Sequence, residues 1–166
     1  MDLLPYDEYA ASLNRKRTSA GVLFRDEEGR VLLLETTYKK SWEIPGGAVD
    51  AGEAPWRTAI REVQEEIGGY RKLGRLLVID HIPTDGPMPE GLAFVFDGGL
   101  ISDVEVGEIE LNDPEIRSVG LFHMNRVSEL AAPLLARRIK SALAAVRSGE
   151  VLFCESGAPV SDELPC

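Results

Sequence analysis

GAVDAGEAPWRTAIREVQEEIGG, Gly47–Gly69, is the stretch whose reading decides the fold. From Ala54 to Ile67 the pattern is helical, because Ala59, Ile60, Val63 and Ile67 recur at spacings that place them on one face. Gly68 suits the left-handed residue that ends a helix. Glu62, Glu65 and Glu66 stand at i, i+3 and i+4, so the helix carries all three carboxylates on one surface, opposite the apolar stripe. Like charges at that spacing cost a helix about 0.2–0.5 kcal/mol per pair. A cation would offset the repulsion. Hard divalent ions that take oxygen ligands match this donor set, Mg2+ above all, with Mn2+ as the alternative.

Upstream of this stretch, RTSAGVLFR (17–25) and VLLLET (31–36) read as strands, and DEEGR between them supplies the turn of a hairpin. A loop with Tyr38, Lys39 and Lys40 leads to SWEIPGG (41–47), where Pro45 and the Gly46–Gly47 pair stop regular structure. Downstream, strands are predicted at Leu76–Ile82, Leu92–Phe96 and around Val119–Met124, with loops at DHIPTDGPMPEG and roughly Asp97–Glu110. A second helix is predicted over Pro133–Val146, its proline tolerated in the first turn. The tail VLFCESGAPV reads as a short extended segment or small hairpin. Strands interleaved with helices indicate an α/β or α+β domain with a mixed sheet. No repeat or flexible linker divides the sequence, so residues 1–166 read as a single domain. Residues 1–16 form an N-terminal extension and 147–166 a C-terminal tail.

The chain of 166 residues suits one substantial core, and 44% apolar with 28% charged residues excludes a disordered polymer. A net charge of −10 argues against general affinity for nucleic acid or anionic membrane. Apolar runs such as Val31–Leu34 fall far short of the roughly 20 residues of a membrane span. The N-terminal residues lack the basic start and apolar stretch of a secretory signal, which points to the cytoplasm. Cys154 and Cys166, both late in the chain, make a disulfide scaffold or a cysteine-rich zinc site a poor reading. An anionic substrate would then need metal and a few cationic side chains to reverse the field locally.

Gly47, Glu53, Arg61, Glu62, Val63, Glu65, Glu66 and Gly68 match the signature G-x5-E-x7-R-E-U-x-E-E-x-G-U, where U is a bulky aliphatic residue. In this the chain resembles the Nudix hydrolases. The last aliphatic position is Gly69 instead, and Tyr70 is expected to occupy the apolar site. SWEIPGG resembles the strand-to-loop entry that precedes the box, and LFHMNRV (121–127) the strand and turn that follow. The resemblance runs from Arg17 to about Val146. It implies an α/β/α sandwich with a mixed sheet and cleavage of a diphosphate bond by water.

The same resemblance implies a role for each residue. Glu62, Glu65 and Glu66 would hold Mg2+, with the Gly47 carbonyl as a further ligand. Arg61 would orient Glu62 or Glu53 through charge-assisted hydrogen bonds. Glu53 would support the loop–helix junction or reach metal through water. Catalytic work falls to Glu62, Glu66, Arg61 and a general base. Glu115 is the favoured base, ahead of Glu90, Glu108 and Glu110, whereas His81 and His123 lack recognisable partners. Substrate contacts are expected from Arg25, Lys39 and Trp42, with Arg17 and Lys40 also near the box. ADP-ribose or another nucleoside diphosphate sugar heads the substrate classes, followed by nucleoside triphosphates and dinucleoside polyphosphates. A non-catalytic nucleotide sensor of the same fold commonly lacks box glutamates that this chain keeps. An isopentenyl diphosphate isomerase would need an early cysteine that it lacks. Relatives that are homodimers suggest an interface near Leu3–Leu13.

Overall fold

The computed structural model describes residues 4–160, which leaves Leu3 and Cys166 outside the described residues. Strands β1 (Arg17–Arg25) and β2 (Val31–Thr36) have the predicted bounds and meet as a hairpin at Arg25 and Val31. The two strands then part. The entry segment fills the gap: Glu43 exchanges backbone hydrogen bonds with Leu34, and β3 (Gly46–Ala48) pairs antiparallel with Ser19–Gly21 of β1. Gly46 takes φ +148°, and a Cβ there would stand 2.6 Å from the Gly21 Cα, so glycine alone lets the two backbones approach.

Beyond β3 come α2 (Pro55–Glu66), β4 (Leu76–Ile82) and β5 (Gly91–Leu100). They are followed by α3 (Asp103–Gly107), β6 (Ile116–Phe122), α4 (Met124–Leu130) and α5 (Pro133–Ser148). A closing hairpin of β7 (Leu152–Glu155) and β8 (Ala158–Pro159) bears out the reading of the tail, and a short α1 (Tyr6–Ser12) precedes everything. The sheet order is β6-β2-β1-β5-β4-β7-β8, with β3 branching from β1. β1–β5 and β4–β7 are parallel and the other pairs antiparallel, which makes the sheet mixed.

The period of two along each strand divides the core between two faces. Val22 and Phe24 of β1 with Leu32 and Leu34 of β2 pack against Ala59, Val63 and Ile67 of the box helix. Leu23, Val31 and Leu33 point the other way, against Val127, Leu135 and Ile139 of α4 and α5. Burial on both faces explains why VLLLET is a continuous apolar run. The result is the α/β/α sandwich that the resemblance implies. No helix among the described residues is long and apolar enough to cross a membrane.

The structure corrects three boundaries. β5 continues to Leu100, and the stretch read as a loop holds α3, started by a capping box in which Ser102 and Glu105 satisfy each other's backbone N–H groups. Gly98 and Gly99 obscured that strand, but Gly98 is where the Phe24 ring lies against the backbone. β6 begins at Ile116 because its ladder with β2 runs from Thr36–Ile116 to Val31–Phe122. The residues after it form α4, which was not anticipated.

Candidate active site

The box helix starts without a side-chain cap, with Pro55 in its first turn, and ends at Gly68 and Gly69, with φ of +69° and +73°. Gly69 replaces the aliphatic residue of the signature at a position whose backbone disfavours a β-branched side chain. Tyr70 does not fill the apolar site. It is 98% exposed, while Leu73 packs against the core beneath the helix.

The three carboxylates are not equivalent, contrary to their expected place opposite the apolar stripe. Glu66 is only 9% exposed and belongs to the buried face with Thr58, Ala59 and Val63, whereas Ile60 is 42% exposed. Glu66 Oε2 accepts a hydrogen bond from the Gly46 N–H at 2.8 Å. Burial pushes its carboxyl up to about 8, against that hydrogen bond and aided by repulsion from Glu62, Asp113 and Glu115. Glu62 lies one turn earlier on the same side, half-buried, and its carboxyl is raised by burial against the pull of Arg61. A Cβ on Gly47 would stand 2.7 Å from the Glu62 carboxyl carbon, so the box glycine is the cradle this carboxylate needs. Glu65 points outward, with a side chain 53% exposed.

Arg61 organises the cluster. Its Nε donates to Glu53 Oε1 at 3.2 Å and its Nη2 to Glu53 Oε2 at 3.0 Å, a two-pronged grip on one carboxylate. Nη1 donates to Glu62 at 2.7 Å and to Glu65 at 3.3 Å. Arg61 and Thr58 hold the Glu53 carboxyl down at about 2. Both glutamates named in the sequence reading are therefore partners of this arginine.

Across from Glu66 stands the loop before β6. The Thr37 N–H donates to the Glu115 carbonyl at 2.8 Å, and the Glu115 N–H to Asp113 Oδ1 at 2.8 Å. These bonds fasten the 113–115 loop to the end of β2, from where Asp113 and Glu115 act on Glu66. Asp113 was missed in the sequence, where it is one acid among many. Tyr38, also overlooked as a site residue, follows directly. Burial raises its hydroxyl, and Glu115, Glu43 and Glu66 add to the effect against Lys39.

The expected substrate contacts are only partly gathered here. Lys39 pairs with Glu43 at 3.0 Å and lies 5.5 Å from the centre of the Tyr38 ring, at the edge of the site. Arg25 is bound to Asp97 at 2.6 Å, and it lies four residues along β1 from Gly21, about 13 Å of strand from the box glycines. Trp42 packs edge-on against Phe122 with ring centres 5.1 Å apart, as part of the α5-side core. Arg17 Nε donates to the Pro89 carbonyl at 2.7 Å. His81 is not isolated, since it lies 3.3 Å from Glu90, which also holds Lys16 at 2.6 Å. Those partners keep the Glu90 carboxyl at about 2 and remove it from the base candidates at the box. Glu108 and Glu110 line an open cleft of about 420 Å³ between the Ile67–Gly69 helix end and residues 105–112.

The donor set fits a hard divalent cation. Glu62, Glu65, Glu66 and backbone carbonyls offer oxygen alone, and the buried Glu66 is surrounded by further acids. Among the described residues no three acidic, histidine or cysteine side chains already stand in ligating geometry. Arg61 donates to Glu62 and Glu65, and the Gly46 N–H to Glu66, so each carboxylate has a protein hydrogen-bond partner.

A mixed sheet between two helical layers, with a glutamate-rich helix against a double-glycine strand, defines the class to which this domain is compared. A model of the NUDIX domain matches residues 15–145, and the chain belongs to this family. Human diphosphoinositol polyphosphate phosphohydrolase 2 is 46% identical over 66 residues, 39% of this chain and 37% of that protein's length. Among solved structures, the MutT protein of Methanosarcina mazei Go1 superposes with a TM-score of 0.63 at 22% identity, covering 83% of this chain and 99% of that one. A UDP-X diphosphatase gives 0.66 at 18%, covering 91% and 75%. An ADP-ribose pyrophosphatase from Streptococcus suis gives 0.61 at 19%, covering 85% and 99%. At these identities the likeness is one of fold.

Proposed function

We propose that this protein is a divalent-cation-dependent hydrolase that splits a diphosphate linkage in a small nucleotide-type substrate. The observation that carries the reading is the burial of Glu66 among acids, beside Glu62 and the Gly46–Gly47 backbone. Glu62, Glu65 and Glu66, with the Gly47 carbonyl, would hold the cation, Mg2+ first and Mn2+ second. When bound, such an ion withdraws charge from phosphoryl oxygens and eases ionisation of water. Arg61 keeps Glu62 in place by its grip on Glu53. Glu115 accepts the proton of the attacking water as oxygen attacks phosphorus, and the bridging oxygen leaves with the second phosphate. Lys39, half-exposed and paired with Glu43, would bind the phosphates.

Charge narrows the substrate. The cleft beyond Gly69 is lined by Glu105, Glu108 and Glu110 with Arg71, which suits hydroxyl and amino donors and repels a densely phosphorylated ring. A nucleoside diphosphate joined to a sugar, such as ADP-ribose, is therefore the first reading. Diphosphoinositol polyphosphates are the second, favoured by the 66-residue stretch shared with the human phosphohydrolase. Incubation with ADP-ribose, UDP-sugars, nucleoside triphosphates, dinucleoside polyphosphates and a diphosphoinositol phosphate, with and without Mg2+, tests both. The first reading expects Mg2+-dependent release of nucleoside monophosphate from a diphosphate sugar; preferred cleavage of the inositol compound selects the second.

A further inference from the structure

Thr58 lies outside the fixed positions of the box, yet its side chain is fully buried in the box helix and polar. A threonine inside a helix ordinarily turns its hydroxyl back to the carbonyl four residues earlier. Here that carbonyl, of Ala54, receives the Thr58 N–H at 3.1 Å, while Thr58 Oγ1 donates to Glu53 Oε2 at 2.6 Å. The same oxygen receives Arg61 Nη2 at 3.0 Å. Thr58 thus fixes the carboxylate on which the arginine is mounted.

The mounting matters because Arg61 has other choices. Glu65 lies 3.3 Å from Nη1 and Asp50 lies 3.8 Å from Nη2, both on the solvent side. With Glu53 held by Thr58, the guanidinium binds it side-on through Nε and Nη2, and Nη1 is left directed at Glu62 Oε1, 2.7 Å away. A Glu53 free to rotate would let Arg61 swing toward Asp50 and Glu65, and Glu62 would lose the bond that seats it against Gly47. We propose that Thr58 is a positioning residue for the Glu62 carboxylate, acting through Glu53 and Arg61; this rests on the hydrolase reading above. Thr58 touches neither substrate nor ion. Its hydroxyl decides which acid the arginine serves.

Thr58→Val keeps the shape and removes the hydroxyl, Thr58→Ala removes both, and Thr58→Ser restores the donor. The readouts are kcat and KM on the best substrate of the panel, and Mn2+ binding to the folded protein measured by the electron paramagnetic resonance of free Mn2+. Partners that orient a ligand typically matter tenfold to a hundredfold. The valine and alanine variants should lose about tenfold in kcat with KM within about twofold, and bind Mn2+ about tenfold more weakly. Serine should return both to within about twofold of wild type. Wild-type Mn2+ affinity and kcat in both Thr58→Val and Thr58→Ala overturn the inference, as does a serine variant that behaves like valine. A wild-type protein that binds no Mn2+ overturns the hydrolase reading and this inference together; normal wild-type binding unchanged by the variants overturns this inference alone.

Discussion

Asp80 and Glu66 are both buried carboxylates in one small domain, and their surroundings are opposite. Asp80, on β4, is fully buried, and it receives Arg138 Nε of α5 at 2.7 Å and the Gly157 N–H at 2.9 Å. Its charge is balanced by an arginine, and its bonds tie the closing hairpin to the sheet. Glu66 has one backbone N–H, and the strongest charged influences on it come from Glu62, Asp113 and Glu115, all acids. A balanced buried acid holds a fold together. An unbalanced one either keeps a proton or is matched by a cation from outside the fold, which supports the reading of Glu66 as a ligand.

Breaking the balanced site should cost the most. Asp80→Ala leaves Arg138 buried without its counter-charge, with one nitrogen, Nη2, already lacking a hydrogen-bond partner among the described residues. Loss of one member of such a pair costs about 3–5 kcal/mol, so urea unfolding should show a large fall in stability. The kcat of the protein that remains folded should stay within about twofold of wild type. A variant as stable as wild type would remove the structural half of the comparison.

The unbalanced site should respond the other way. Glu66→Gln preserves shape and removes charge, and turnover at saturating Mg2+ should fall by roughly two orders of magnitude or more. Folding should survive, because the repulsion from Glu62, Asp113 and Glu115 is relieved. Near-normal turnover would mean that the burial of Glu66 serves only the fold. Glu115→Gln sharpens the same side with a smaller effect. A lost general base is worth about a hundredfold at its lower end. Because Glu115 is exposed and other acids stand beside it, a drop of about tenfold in kcat with little change in Mg2+ affinity is expected. Unchanged kcat would move the base to Glu62 or Asp113.

The two regions also differed in legibility. The box was readable because Gly47, Glu53, Arg61 and the three glutamates match the family signature at fixed spacing, and the strands because VLLLET and RTSAGVLFR are rich in β-branched and apolar residues. What spacing did not reveal is which glutamate is buried. The apolar stripe was read through Ile60, which is exposed, and Glu66 was placed opposite, although it follows the buried Val63 by three residues. Its burial arises because β3, paired with β1, brings Gly46 against the helix end, and Gly46 and Glu66 are twenty positions apart. Asp80 drew no comment in the sequence because its partner Arg138 lies 58 positions away. Arg25 and Trp42 were selected for proximity to the box along the chain, but Asp97 and Phe122 claim them.

The proposed site requires that a divalent cation take the place of the proton that Glu66 otherwise holds. The most direct test is the melting temperature of wild type and Glu66→Gln between pH 5 and 8, metal-free and with saturating Mg2+. The folded-state value of Glu66 is raised from 4.5 to about 8, so within that window the folded protein holds more protons than the unfolded chain. Metal-free stability should therefore fall as pH rises, more steeply in wild type than in Glu66→Gln. Mg2+ should reverse the fall in wild type, by an amount that grows with pH as it displaces the proton, and should leave Glu66→Gln almost unmoved. Equal Mg2+ shifts in the two proteins, or none in wild type, would contradict the claim.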